Sequence, residues 1–161
     1  MKVKVKFKNE DAKRLYLEAS KNETIFPFKK YNSDFCYDAV AVSCEEIAPN
    51  VYKYGLGISA QIVRDKEDEG KRFYLGIDVR PRSSICNTGM ILSNAPGTVD
   101  EGYTGEISVV MYHVLTDMPK YNVGDRVCQL NIGITPQIEF VEVNTLDDTT
   151  RGDGGYGSTG K

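Results

Sequence analysis

From about residue 37 onward, one short apolar-alternating run follows another with no helical pattern between them, and this constrains the fold more than any other feature of the chain. Such runs occupy residues 56–63, 72–79, 106–115, 126–134 and 138–143, with Gly, Pro, Asn and Asp between them. In the second, Phe73, Leu75, Ile77 and Val79 share one face, the period of two that a half-buried strand requires. Many short strands without interleaved helices predict an all-β protein: a sandwich, a jelly roll or a barrel.

The first residues obey the same rule. Val3, Val5 and Phe7 alternate with Lys2, Lys4, Lys6 and Lys8, which predicts a half-buried strand over 2–8 whose lysines guard a sheet edge. Asn9 followed by Glu-Asp-Ala-Lys-Arg-Leu-Tyr-Leu-Glu-Ala has an N-cap, early acids and then helix formers, the only convincing helix signal in the chain. Arg64 to Arg72 is strongly charged and is expected to be a solvated hairpin tip. No internal repeat or linker divides the chain, so a single domain over 1–161 is expected. Within it, an N-terminal strand and an unassigned segment occupy about 1–34, a β core 35–145, and an arm 146–161.

The balance of 20 basic against 23 acidic residues, a net charge of −3, removes any general electrostatic case for nucleic acid or an anionic membrane as partner. No run approaches the roughly 20 apolar residues of a membrane span, and the alternating start lacks an apolar signal block, so a cytoplasmic location is expected. The four cysteines, at 36, 44, 86 and 128, form no Cys-x-x-Cys pair and have only His113 to complete a soft-metal site. Free buried thiols are expected for all four. His113 sits inside an alternating run, where a structural role is expected.

Five glycines (152, 154, 155, 157 and 160) crowd into the last ten residues. Gly155 to Gly160 satisfies Gly-x-Gly-x-x-Gly, and Gly155 to Lys161 satisfies Gly-x4-Gly-Lys. Both motifs need a helix directly after the glycines to hold a phosphate, and the sequence ends at Lys161, so neither site is expected. The residue types themselves suit an anion-gripping arm: glycines that let backbone N–H groups approach closely, Ser158 and Thr159 hydroxyls, and the charges of Arg151 and Lys161. One ring among them, Tyr156, suits stacking on a base or sugar.

In this order the residues resemble the trimeric dUTP pyrophosphatase (dUTPase) family, with its five short motifs. Residues 151–160 are similar to the last motif, Arg-Gly-x-Gly-Gly-Phe-Gly-Ser-Thr-Gly, with Tyr156 in the Phe position. Gly97 to Glu106 resembles the third, Arg80-Pro81-Arg82-Ser83-Ser84 the second, and Gly124 to Leu130 the fourth. Cys36-Tyr37-Asp38-Ala39 resembles the first, usually Ala-Gly-Tyr-Asp-Leu, keeping the Tyr and Asp. The resemblance spans about residues 35–161 and leaves the early helix unassigned.

That resemblance implies a dUTPase-like jelly roll or distorted barrel that hydrolyses dUTP to dUMP and pyrophosphate, keeping uracil out of DNA and supplying dUMP for thymidylate synthesis. Asp100 is the implied general base for the attacking water. Asp38 is the implied partner of Mg2+, through its water shell. Arg82 and Ser83 would contact the phosphates, Gln129 the α-phosphate side and Arg151 the γ end, with Gly157, Ser158 and Thr159 in the arm. A hairpin over Ser93 to Tyr103, including Asn94 and Gly97, would read uracil; Tyr103 would pack under the deoxyribose and Tyr156 over the base. A homotrimer with sites shared among subunits is implied. Two alternatives are weighed: the related dCTP deaminase, to which the resemblance does not extend in the tail, and a nucleotide-responsive regulatory module whose protein partner would sit on the unassigned segment or on 64–72.

Overall fold

The computed structural model describes residues 1–21, 29–68 and 70–154, without the side chain of residue 68. Its strands are β1 (Lys2–Phe7), β2 (Tyr37–Val40), β3 (Ser43–Ala48), β4 (Val51–Gly55), β5 (Ile58–Val63), β6 (Phe73–Arg80), β7 (Met90–Leu92), β8 (Gly97–Asp100), β9 (Ser108–His113) and β10 (Arg126–Pro136). One helix, α1 (Glu10–Ala19), and two short 3-10 turns, Lys66–Asp68 and Ser83–Asn87, accompany them.

The strands form three antiparallel sheets with orders β1-β5, β2-β10-β6-β8 and β3-β4-β9-β7. Their inner faces meet in a single core around Tyr54, Leu56, Ile58, Ile107, Val109 and Met111, all essentially inaccessible to solvent. The all-β jelly-roll expectation therefore holds, including the five sequence-read runs other than 138–143.

Helix α1 begins where its cap lies: the Asn9 side chain accepts a hydrogen bond from Ala12 N at 2.9 Å. Tyr16, fully buried, donates its hydroxyl to Leu56 O at 3.0 Å and meets the Phe7 ring edge-on at 5.4 Å. The helix comes so close to the sheet that Gly57, at φ +62°, is required: a Cβ there would lie 2.8 Å from that of Ala12. His113 is structural, as expected, with Nε2 2.9 Å from Met118 O.

Three expectations need correction. Residues 64–72 are not a hairpin tip, because β5 and β6 belong to different sheets and the segment crosses between them. Arg64 turns inward to an acidic partner. Residues 138–143 form no strand: Ile138, Phe140, Val141 and Val143 stand 56–91% exposed, since an apolar-alternating run needs a neighbouring strand and the described part of this chain offers none. Of the four cysteines, none disulfide-bonded, only Cys128 is buried; Cys44 lies on the solvent-facing edge strand β3 and Cys86 on the surface turn 83–87.

Candidate functional site

Strand register assembles the first half of the site. In β10, Gln129 lies opposite Asp38 of β2 on one side and Arg80 of β6 on the other. Residues directly opposite in antiparallel strands share a face of the sheet, so three motifs distant in sequence present one surface. Just past the end of β6, Arg82 precedes the turn carrying Ser83.

The Asp38 carboxylate is the hub. Its Oδ1 accepts from Arg82 Nε at 2.9 Å and its Oδ2 from Arg126 Nη1 at 3.1 Å. Arg82 is further fixed by donating Nη1 to Arg126 O at 3.1 Å and to Ser84 Oγ at 3.2 Å. Gln129 Nε2 donates to Pro81 O at 2.8 Å, holding the backbone just before Arg82.

Arg126 was not among the residues singled out from sequence. Three positions from Gln129, simple alternation puts it on the opposite face. A β-bulge between Arg126 and Cys128 restores it to the Asp38 side, and its signature is that Val127 and Cys128 are both fully buried. Two consecutive apolar residues beside an Arg inside a strand were the available signal.

Asp38, Arg80, Arg82, Ser83, Arg126 and Gln129 line a cleft of about 680 Å³, within the range of small-molecule sites. Behind it stands Tyr121, whose carbonyl accepts from Tyr54 at 2.9 Å and whose hydroxyl, though buried, meets no hydrogen-bond partner.

The second half lies elsewhere on the same chain. Asn94 is exposed in the crossover from β7 to β8, and Gly97 begins β8, the edge of its sheet. Gly97 is buried against Val79, whose Cβ would be only 3.2 Å from a Cβ added there. The segment 93–103 is thus not a hairpin: β7 and β8 are in different sheets, leaving one backbone edge of β8 without a neighbouring strand among the described residues.

Asp100 is exposed at the end of β8, in a recess of about 190 Å³ with Tyr103 and Glu106. Tyr103, 48% exposed, donates its hydroxyl to Glu106 O at 3.0 Å and lies so close over Gly105 that a Cβ there would fall 2.5 Å from it.

Glu101, also not singled out from sequence, anchors this end of β8. Its carboxylate takes Arg64 in a fork at 2.7 and 2.8 Å and accepts Leu75 N at 3.1 Å, while Arg64 also reaches Phe73 O at 2.7 Å. The Arg64 guanidinium holds the Glu101 carboxyl well below its usual range, at about 2.

The two halves are far apart. Asp100 is level with Gly76 on β6, whereas Asp38 is level with Gln129 and hence Arg80, four residues along β6 and three strands across. At about 3.3 Å per residue and 4.8 Å per strand, the separation is roughly 20 Å.

Arg151 lies on neither half: in an exposed turn, its Nε donates to Gly154 O at 2.9 Å. Tyr156, Gly157, Ser158 and Thr159 fall outside the described residues. Among the described residues no cluster of three His, Cys, Asp or Glu could hold a metal, and no helix is long and apolar enough to cross a membrane.

A family model for dUTPase matches residues 76–160. The chain is also 32% identical over 149 residues to a deoxyuridine 5'-triphosphate nucleotidohydrolase of Clostridium novyi, covering 91% of this chain and 99% of the relative. This chain belongs to the dUTPase family. With the Corynebacterium glutamicum member it shares 47% identity over 85 residues, 52% of this chain and 57% of that protein.

The fold agrees. The dUTPase of Staphylococcus bacteriophage 80alpha, solved with dUPNHPP, superposes with a TM-score of 0.74 at 17% identity, covering 99% of both chains. A mutant dUTPase from phage phi11 of S. aureus, described with a structural Mg(II) ion, superposes at 0.59 and 15% identity over 93% of this chain and 99% of that one.

Proposed function

We propose that this chain is a cytoplasmic dUTP diphosphatase, converting dUTP to dUMP and pyrophosphate in sites shared among the subunits of a homotrimer. The observation that carries the shared site is the separation of roughly 20 Å between Asp100 and Asp38 within one chain. Two groups that must act on one phosphate cannot do so at that distance, whereas symmetric assembly can bring the Asp100 end of one subunit to the Asp38 cleft of another.

In this mechanism Arg82, Ser83 and Gln129 hold the phosphates, the Arg82 fork matching phosphate oxygens. Asp100 orients a water in line with the α-phosphorus and takes its proton; the new P–O bond forms as the bond to the bridging oxygen breaks, and pyrophosphate leaves with the electron pair. The free backbone edge of β8 and the Asn94 side chain read uracil, Gly97 allows the base close approach, and Tyr103 packs against the deoxyribose. The arm supplies Arg151 at the γ end, with Tyr156 over the base and Gly157, Ser158 and Thr159 around the phosphates.

Mg2+ would neutralise charge developing on the phosphates. Asp38 suits it as an outer partner only: each carboxylate oxygen already accepts from an arginine and has room for a metal-bound water, not for a direct bond alongside two guanidinium groups.

The test is pyrophosphate release from dUTP, UTP and the four standard deoxynucleotides with Mg2+. Turnover confined to dUTP is expected. Ammonia release from dCTP, or equal turnover of dUTP and UTP, would refute the proposal.

A further inference from the structure

The segment before β2, which no motif explains, supplies a wall of the Asp38 cleft. We propose that Lys29 and Lys30 are polyphosphate-binding residues of this protein, gripping the triphosphate of the substrate from the side opposite the motif residues. The inference rests on the dUTP reading of that cleft and adds two residues to it.

Both lysines line the same 680 Å³ cleft as Asp38, Arg82 and Ser83. With Arg80 and Arg126 they bring the lining to five cations against two acids, Asp34 and Asp38, a surplus of 5 − 2 = +3. The arginines have carboxylates: Arg82 and Arg126 share Asp38, and Arg80 reaches Asp78 at 2.9 Å. Asp34, the acid nearest in sequence to the lysines, is turned to the backbone, where its Oδ2 accepts Tyr31 N at 3.0 Å while its own N–H donates to Tyr31 O at 3.0 Å. Neither lysine meets a carboxylate in an ion pair among the described residues.

Aromatic rings hold them instead. Lys29 Nζ lies 4.2 Å from the centre of the Tyr37 ring, beside Asp38 in sequence, and Lys30 Nζ lies 5.1 Å from that of Tyr31. A ring attracts an ammonium without neutralising it, so the full charge stays available to an entering anion. An ammonium on a four-carbon stem is also a movable point charge, suited to phosphates whose position changes as the leaving group departs. A surplus of three positive charges in one cleft calls for an anion carrying several charges, which the triphosphate supplies and a single phosphate does not.

The experiment is calorimetric titration of the full-length protein with α,β-imido-dUTP in Mg2+, and separately with dUMP. For K29Q/K30Q the affinity for the imido analogue should fall at least about tenfold, an effect expected of two unscreened phosphate contacts, while dUMP affinity stays within about twofold. K29R/K30R should restore analogue binding. Unchanged analogue affinity in K29Q/K30Q would overturn the inference alone, as would an equal loss for both ligands, the mark of a merely structural role. Failure of the wild-type protein to bind the analogue would instead refute the dUTP reading and this inference with it.

Discussion

Glu101→Gln tests how the Asp100 end of β8 is held. In the native chain the Glu101 carboxyl sits at about 2 against an ordinary 4.5, chiefly because of Arg64 and, more weakly, the Leu75 N–H. Taken at face value that depression corresponds to about 3 kcal/mol of native stability at neutral pH. The two side chains are 26% and 27% exposed, so solvent screens part of it, and about 1–2 kcal/mol is a sounder expectation. For a chain of this length the melting temperature should drop by about 3–6 °C.

The sign follows from the direction of the shift. A carboxyl whose pKa is lowered on folding stabilises the native state above its unfolded value, near 4.5, and loses that contribution as pH falls toward about 2. Thermal unfolding of wild type and Glu101→Gln, at one subunit concentration, should therefore differ fully at pH 7 and progressively less between pH 4.5 and 3. A gap that persists undiminished at pH 3, or none at pH 7, would refute the argument. Because Glu101 fastens the residue after Asp100 to β6, turnover of dUTP should also slow several-fold in the variant.

Two further outcomes are expected. Tyr121→Phe removes a buried hydroxyl that has no hydrogen-bond partner, so urea unfolding should show stability unchanged or raised by about 1 kcal/mol; a loss above about 1 kcal/mol would mean the hydroxyl is bonded. Phe140→Glu places a charge on a side chain 91% exposed in the isolated chain, and if that ring is covered by a neighbouring subunit, sedimentation should show the trimer weakened or dissociated, with the wild-type mass retained if it is not.

Much of the fold was legible because alternation reports burial locally. Phe73, Leu75, Ile77 and Val79 read as one face of a strand and are one, and Asn9 announced its helix. What alternation cannot report is which strand lies beside which: 64–72 looked like a hairpin tip because β5 and β6 are consecutive, yet they join different sheets. The run 138–143 carries a strand's pattern and has no partner within the described chain.

The site divides in the same way. Asp38, Arg82, Ser83 and Gln129 were recognised through short motifs, and register brings them together. Arg126 depends on a bulge, Glu101 on a partner 37 positions away, and Lys29 and Lys30 on the path of a loop. None of these three follows from local pattern. Nor did any motif reveal that Asp100 and Asp38 face different neighbours.

A subunit-mixing experiment tests the central claim most directly. Asp100→Asn and Arg82→Gln proteins should each be inactive on dUTP. Unfolded together and refolded as mixed trimers, they should regain activity in about a quarter of their sites, those that draw an intact Asp100 and an intact Arg82 from different subunits. Mixed trimers as inactive as either parent would contradict a site built across subunits.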